Sequence, residues 1–320
     1  MFTACGDEPK PIQGTGPLSP PPAPLNNAPQ FLADSAYAFI EAQLAFGPRV
    51  PNSKGHQKAG DYLVERFSSW ADTVLVQEAN VVAYTGEGLK IRNIMARFAP
   101  EKSDRIMLFA HWDTRHISDK DAELGHLPVP GADDGGSGVG VLMEIARLLA
   151  ADSSGGPFPG IDIVLFDGED FGDAGGAPET FCLGSQYFAK NPVVPGYQAR
   201  YGILLDLVGA KDAVFYQEGW SLEYAPHITQ MVWETAHQVG FASYFRMAAL
   251  PGPITDDHYF INKLMRIPSI DIINYDPGRP SGFPAHWHTQ KDNIDIISKE
   301  TLRAVGTTVL EVLYREPEIN

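Results

Sequence analysis

From Phe31 onward the chain alternates between two hydrophobic periodicities. Asp34 to Phe46 carries apolar residues at helical spacing, and Ser53 is placed to cap a helix running through Tyr62, Leu63, Phe67 and Trp70. Residues 74–79, 89–98 and 105–110 are β-branched or apolar runs, and after a turn-rich segment residues 138–151 return to helical spacing. The alternation continues with a strand at 161–166, a helix near 184–189, a strand at 201–207, a helix at 225–239, a strand at 267–273 and a last helix at 298–314. Several of these strands are nearly continuous apolar runs (IMLFA, IDIVLF, GILLDL, IPSIDII), so both of their faces are buried and helices must cover the sheet on each side. The pattern predicts an α/β fold: a three-layer sandwich with a central, mostly parallel mixed β-sheet flanked by helices.

Composition sets the limits of this reading. Eight of the 26 prolines fall in the first 30 residues among Gly, Asn, Gln and Ser, which predicts a flexible leader over 1–30 and a single catalytic α/β domain over 31–320. With 24 basic against 40 acidic residues, a formal charge of −16, the surface repels phosphate backbones, and nucleic acid is not an expected partner. No apolar run approaches the roughly 20 residues a membrane-crossing helix needs. The two cysteines are too few for a disulfide framework. Cys5, in the setting Phe-Thr-Ala-Cys-Gly ahead of the proline-rich tract, looks like the acylated residue of a trimmed bacterial lipoprotein, which predicts a lipid anchor and a periplasmic or envelope-membrane location. Cys182, in Thr-Phe-Cys-Leu, reads as a buried inert thiol.

Open α/β sheets place ligands beyond the carboxyl ends of their strands, and there the chain is consistently acidic. His111-Trp112-Asp113 follows 105–110, Asp133-Asp134 precedes a Gly-rich helix start, Asp167-Gly168-Glu169-Asp170 follows 161–166, and Asp206 ends 201–205. Asp256-Asp257-His258 precedes the 267–273 strand, and Trp287-His288-Thr289 follows it. One Asp after a strand is more often a turn former than a ligand, but six such positions at one sheet edge supply the N and O donors of a catalytic zinc site. A cation would also offset their mutual repulsion. In the adjacent pair Glu169-Asp170, one acid can hold metal while its neighbour moves protons.

The segments AHWDTR (110–115), GADDGGSGVG (131–140), LFDGED (165–170), LLDLVGA (204–210), ITDDH (254–258) and FPAHWHTQKDN (283–293) resemble, in this order, the zinc exopeptidase superfamily of aminopeptidases and animal-type glutaminyl cyclases. The resemblance spans about residues 31–320. It implies Asp134, Asp170 and His288 as ligands of one Zn²⁺ and Glu169 as the proton carrier, leaves Asp133 outside the ligand set, and places Asp206 and Asp256 beside the substrate. Trp287 and Phe283 next to His288, the pair Asp256-Asp257 and the string LLDLVGA are more similar to cyclases, and bacterial relatives look like the closer match. His111, Asp113 and His258 are expected behind the site, with His258 orienting the Asp256 loop. Asp170 stands where animal cyclases carry Glu, and Phe171-Gly172-Asp173 where they carry a Trp, so another aromatic, Phe181 or Trp220, must supply that wall. Phe283 and Trp287 are expected to line a substrate pocket, and Trp112 to be core.

The implied activity is cyclisation of the N-terminal glutamine of peptides and proteins to pyroglutamate with loss of ammonia, a glutaminyl-peptide cyclotransferase reaction. The alternative is a two-metal zinc aminopeptidase that also uses His111 and Asp206. A binding lipoprotein without catalysis is a third, weaker reading, because it need not keep every ligand and the proton carrier.

Overall fold

The computed structural model describes residues 28–154 and 156–317. Cys5 and the proline-rich stretch through residue 27 lie outside the described residues. At their start, Ala28 and Phe31 are already buried, and the Phe31 ring lies against Gly306, where a Cβ would collide with it.

The chain runs α1 (Ala33–Leu44), α2 (Lys54–Ser68), β1 (Thr73–Val82), β2 (Gly88–Phe98), β3 (Arg105–His111), α3 (Gly136–Ala151), β4 (Gly160–Phe166) and α4 (Leu183–Lys190). It continues through β5 (Tyr201–Asp206), β6 (Phe215–Gln217), α5 (Gly219–Tyr224), α6 (Pro226–Gln238), β7 (Phe245–Ala249), α7 (Asp257–Phe260), β8 (Ser269–Ile273) and α8 (Lys299–Arg315). Ser53 caps α2, accepting from the His56 amide, as the sequence predicts; Ser298, expected as the first residue of the last helix, stands just before α8 and caps it, accepting from the Thr301 amide. The β6–β7 pair and the short helices α5 and α7 have too few residues to show a periodicity. The strand expected from Ile267 begins at Ser269.

Six strands form one sheet in the order β1-β2-β4-β3-β5-β8. β1, β2 and β4 pair antiparallel, whereas β4, β3, β5 and β8 run parallel. Alternate residues of the parallel strands face two cores, which explains their unbroken apolar runs. Ile106, Leu108 and Ala110 pack with α1, α2, α3, α6 and α8, while Met107 and Phe109 pack with Phe188 of α4 and with Ile261 and Ile267. The predicted three-layer α/β sandwich is the fold observed.

Register decides what the edge carries. His111 pairs with Phe166, so Asp167 and the acids after it begin where β3 ends. Asp206 pairs with Ile273 and stands two residues beyond the Phe109–Leu204 pair, level with His111. Glycine allows α3 to approach this edge: a Cβ at Gly138 would lie 2.1 Å from the Leu205 carbonyl oxygen. Asp134, two residues before α3, is thereby brought next to Asp206.

Candidate metal centre and active site

Three elements far apart in sequence deliver the first donor set. Asp134 precedes α3, Asp170 follows β4, and His288 sits in the loop after β8 with a backbone φ of 56°. One donor atom from each lies within 4.8 Å of the other two, and all three residues are buried. His288 Nε2 is 3.3 Å from Asp170 Oδ1 and 3.7 Å from Asp134 Oδ2. A second group, His111, Asp134 and Asp206, shares Asp134 with the first. Within it His111 Nε2 lies 3.1 Å from Asp134 Oδ1 and 3.2 Å from Asp206 Oδ1.

Asp134 Oδ2 and Asp170 Oδ2 are buried without a hydrogen-bond partner. An unpaired buried carboxylate oxygen is costly, and two such carboxylates meeting one imidazole fit a divalent cation held by two oxygens and a nitrogen. That donor set suits zinc.

Each ligand is held from behind. Asp113 accepts the amides of Glu169 (3.0 Å) and Asp170 (3.1 Å), and Asp292 accepts those of Asp133 (2.7 Å) and Asp134 (3.1 Å). Beneath both lies Arg49, fully buried, donating to the carbonyls of Trp112, Pro130 and Gly131. Burial lowers its guanidinium to about 10, so it stays charged at neutral pH opposite Asp292, Asp113 and Asp134. Asp133 accepts the Gly209 amide and meets His286 Nε2 at 2.9 Å, which agrees with its exclusion from the ligand set. His258 meets Glu218 at 2.9 Å, and Glu218 also accepts the Ile254 amide, so the His258 side chain does tie the loop leading to Asp256.

Sequence reasoning missed Asp292 and His286, which lack the strand-end position that singled out the other acids and histidines. His56 stacks on Trp112 and is bonded to the buried Asp167.

The site is crowded with carboxyl groups, and burial pushes their proton affinities up. Asp206 and Asp256 rise to about 7 and Asp257 to about 8, with neighbouring acids adding to the effect. Burial, reinforced by Asp256, Asp170 and Asp257, also holds Glu169 well above the usual carboxylate range. Burial works against charge on His288, but Asp170, Asp119 and Asp134 raise it to about 9. A bound divalent cation would reverse these tendencies by supplying the missing positive charge.

The donor set opens into a cavity of about 260 Å³. Glu169, Asp206 and Asp256 face it, and Phe181, Ile254, Ile273, Phe283 and Trp287 form its apolar wall. The Phe283 and Trp287 rings stack at 4.1 Å, and Trp287 lies on the His288 ring at 3.7 Å. Of the two candidates for the missing aromatic wall, Phe181 lines the cavity, whereas Trp220 packs on Tyr224 and Tyr259. Cys182 is fully buried but does more than fill space: its thiol donates to Glu169 Oε1 at 3.3 Å, and its amide to the Glu169 carbonyl. A larger cavity of about 610 Å³ opens beside His56 and Trp112, and none of the residues of the two donor groups lines it.

A mostly parallel sheet flanked by helices, with carboxylates and imidazole converging at its strand ends, defines a zinc exopeptidase-like protein. The chain belongs to peptidase family M28, whose profile matches residues 93–313. Among solved structures it is similar to a glutaminyl cyclase of Bacteroides thetaiotaomicron, crystallised with N-acetylhistamine (50% identity, 91% of this chain and 100% of that one, TM-score 0.87). It is also similar to a leucine aminopeptidase precursor of the same bacterium (49% identity, 92% and 100% coverage, TM-score 0.86). A glutaminyl-peptide cyclotransferase of the snake Gloydius blomhoffii is 27% identical over 296 residues, 84% of this chain and 77% of that protein.

Proposed function

We propose that this protein is a glutaminyl-peptide cyclotransferase: it converts the N-terminal glutamine of peptides and proteins into pyroglutamate and releases ammonia. The observation that carries the reading is the position of Glu169, beside the Asp134–Asp170–His288 donor set and facing the same small aromatic-walled cavity. Bacterial and animal relatives that are glutaminyl cyclases support it.

In this reaction the substrate's α-amine attacks its own side-chain carbonyl carbon, a C–N bond forms, and ammonia departs. Zinc held by Asp134, Asp170 and His288 would polarise that carbonyl and stabilise the oxygen as it becomes negative. Glu169 accepts the proton lost by the attacking amine and returns it to the leaving nitrogen, so one carboxyl serves both transfers. Asp206 and Asp256, both facing the cavity, orient the amine. Phe283 and Trp287 hold the side chain in the ring-closing rotamer, which is the main demand of an intramolecular attack. The wall they form also limits access of water, the competing nucleophile.

The reading includes one zinc per chain. The group His111, Asp134 and Asp206 is the observation that favours a two-metal aminopeptidase. Mass spectrometry of a Gln-initiated peptide and its Leu-initiated twin, with metal quantitation, separates the two. Loss of one ammonia from the Gln peptide alone, at one zinc per chain, supports the cyclase; free amino acids from the Leu peptide overturn it. The reading also takes Cys5 as a lipid anchor at the bacterial envelope, and radiolabelled palmitate incorporation tests that.

A further inference from the structure

One short segment touches both the carboxylate and the imidazole of the donor set. Arg115 Nη1 donates to the Asp170 carbonyl (3.1 Å), to the Gly172 carbonyl (3.3 Å) and to Asp170 Oδ1 (3.3 Å). Its Nε donates to Asp119 Oδ1 at 2.6 Å. The same Asp119 oxygen lies 3.2 Å from His288 Nδ1, and the next amide, Lys120, donates to the His288 carbonyl at 3.2 Å. Residues 115–120 thus form a strut whose one end grips Asp170 and whose other end grips His288 by ring and backbone.

The chemistry of each contact follows. A carboxylate at Nδ1 keeps the proton on that nitrogen, which leaves Nε2 with a free lone pair facing Asp134 and Asp170. His288 is also held at a φ of 56°, a conformation costly for a side chain of its size, and the Lys120 amide on its carbonyl is a contact able to pin it there. Arg115 is buried and cannot lose its proton, so it is a permanent fork rather than a titrating partner. It restrains Asp170 Oδ1 and leaves Asp170 Oδ2 unpartnered.

We infer that Arg115 and Asp119 act as a single positioning unit that preorganises Asp170 and His288 for metal. This inference rests on the reading of Asp134, Asp170 and His288 as the metal ligands. Neither residue lines the cavity, so both work through the ligands they hold.

The test is zinc affinity of the full chain, measured by competition with a chromophoric chelator, for Arg115→Met, Asp119→Asn and the double variant. Each single variant is expected to bind zinc about 10–100-fold more weakly, the range typical of groups that orient a ligand. The double variant should be little worse than the weaker single, because each residue acts through the other. Nitrogen-resolved NMR of His288 in the metal-free protein, recorded at alkaline pH where the imidazole is neutral, should show the Nδ1-protonated tautomer in the wild type and a mixture in Asp119→Asn. Where Arg115→Met fails to fold, Arg115→Lys, which keeps the charge but loses the fork, takes its place. Wild-type affinity in both singles overturns the inference, and losses that simply add in the double variant overturn the single unit. A wild type that takes up no zinc overturns the metal reading and this inference together; one that binds zinc but leaves Gln peptides intact overturns the cyclase reading alone.

Discussion

Asp113 and Asp292 hold the two acidic loops of the site by the same device, each carboxylate accepting the backbone amides of two consecutive residues, the second of which is a proposed metal ligand. Both are fully buried, and the charge of the buried Arg49 is supported by both of them. The sheet edge brings the acids together, but these clamps and the buried arginine set where the Asp134 and Asp170 carboxylates point.

Removing either clamp leaves two buried amides unpaired, at about 1–3 kcal/mol each. Asp292→Ala and Asp113→Ala are therefore each expected to lose about 2–6 kcal/mol in urea unfolding and to bind zinc more weakly. Asp292→Asn, which keeps one acceptor oxygen, should lose less. Unchanged stability in the alanine variants would show that water replaces the clamp.

Glu169→Gln removes the proton carrier and leaves the ligands in place. Turnover of a Gln-initiated peptide is expected to fall about 10²–10⁴-fold with zinc content unchanged. Asp170→Ala, by contrast, should lose zinc and activity together. Wild-type turnover in both variants sinks the assignment.

Among the described residues, the Cys182 thiol is the one side-chain hydrogen-bond donor to the Glu169 carboxyl. Burial pushes this thiol up, so it stays a protonated donor at working pH. A neutral bond of about 1 kcal/mol predicts roughly a 5-fold loss of kcat in Cys182→Ala with KM unchanged. Steady-state kinetics on a Gln peptide checks the split; a change confined to KM contradicts it.

Trp287 is sandwiched between Phe283 and His288. A stacked aromatic pair is worth about 0.5–1.5 kcal/mol, so Trp287→Ala should raise KM for Gln substrates roughly 2–10-fold. Phe283→Ala should act in the same direction. Isothermal titration of a non-cyclising Gln analogue gives the effect without turnover.

Glu218 links the protein's stability to pH. Burial alone would raise its carboxyl, but His258 and the Ser221 amide hold it at about 2, below its usual 4.5. Because the folded value is depressed, its contribution is fully present above pH 4.5 and is lost as pH falls toward 2. The difference corresponds to about 3 kcal/mol. Unfolding free energies of the wild type and Glu218→Gln should therefore converge on acidification, and parallel curves would contradict the assignment.

Much of this was legible in the sequence because it is local. Strand and helix periods depend on neighbours a few residues apart, and an unbroken run such as IDIVLF declares burial on both faces. The acids after β3, β4 and β5 were identifiable because strand direction alone sends them to one edge. The companions of the ligands were not legible. Asp292 meets Asp133 and Asp134 across more than 150 residues, and Asp119 meets His288 across a similar span, so no spacing rule connects them. The choice of Phe181 over Trp220 as the cavity wall depended in the same way on how α5 packs against Tyr259.

The sequence by itself therefore determined the layers of the fold, the edge that carries the chemistry and the residue types gathered there, since each follows from local pattern and chain direction. Only the tertiary structure decided which carboxylates stay free for metal and which are consumed as clamps. That distinction rests on which backbone amides and cations reach each oxygen, and those partners become neighbours only when the chain is folded.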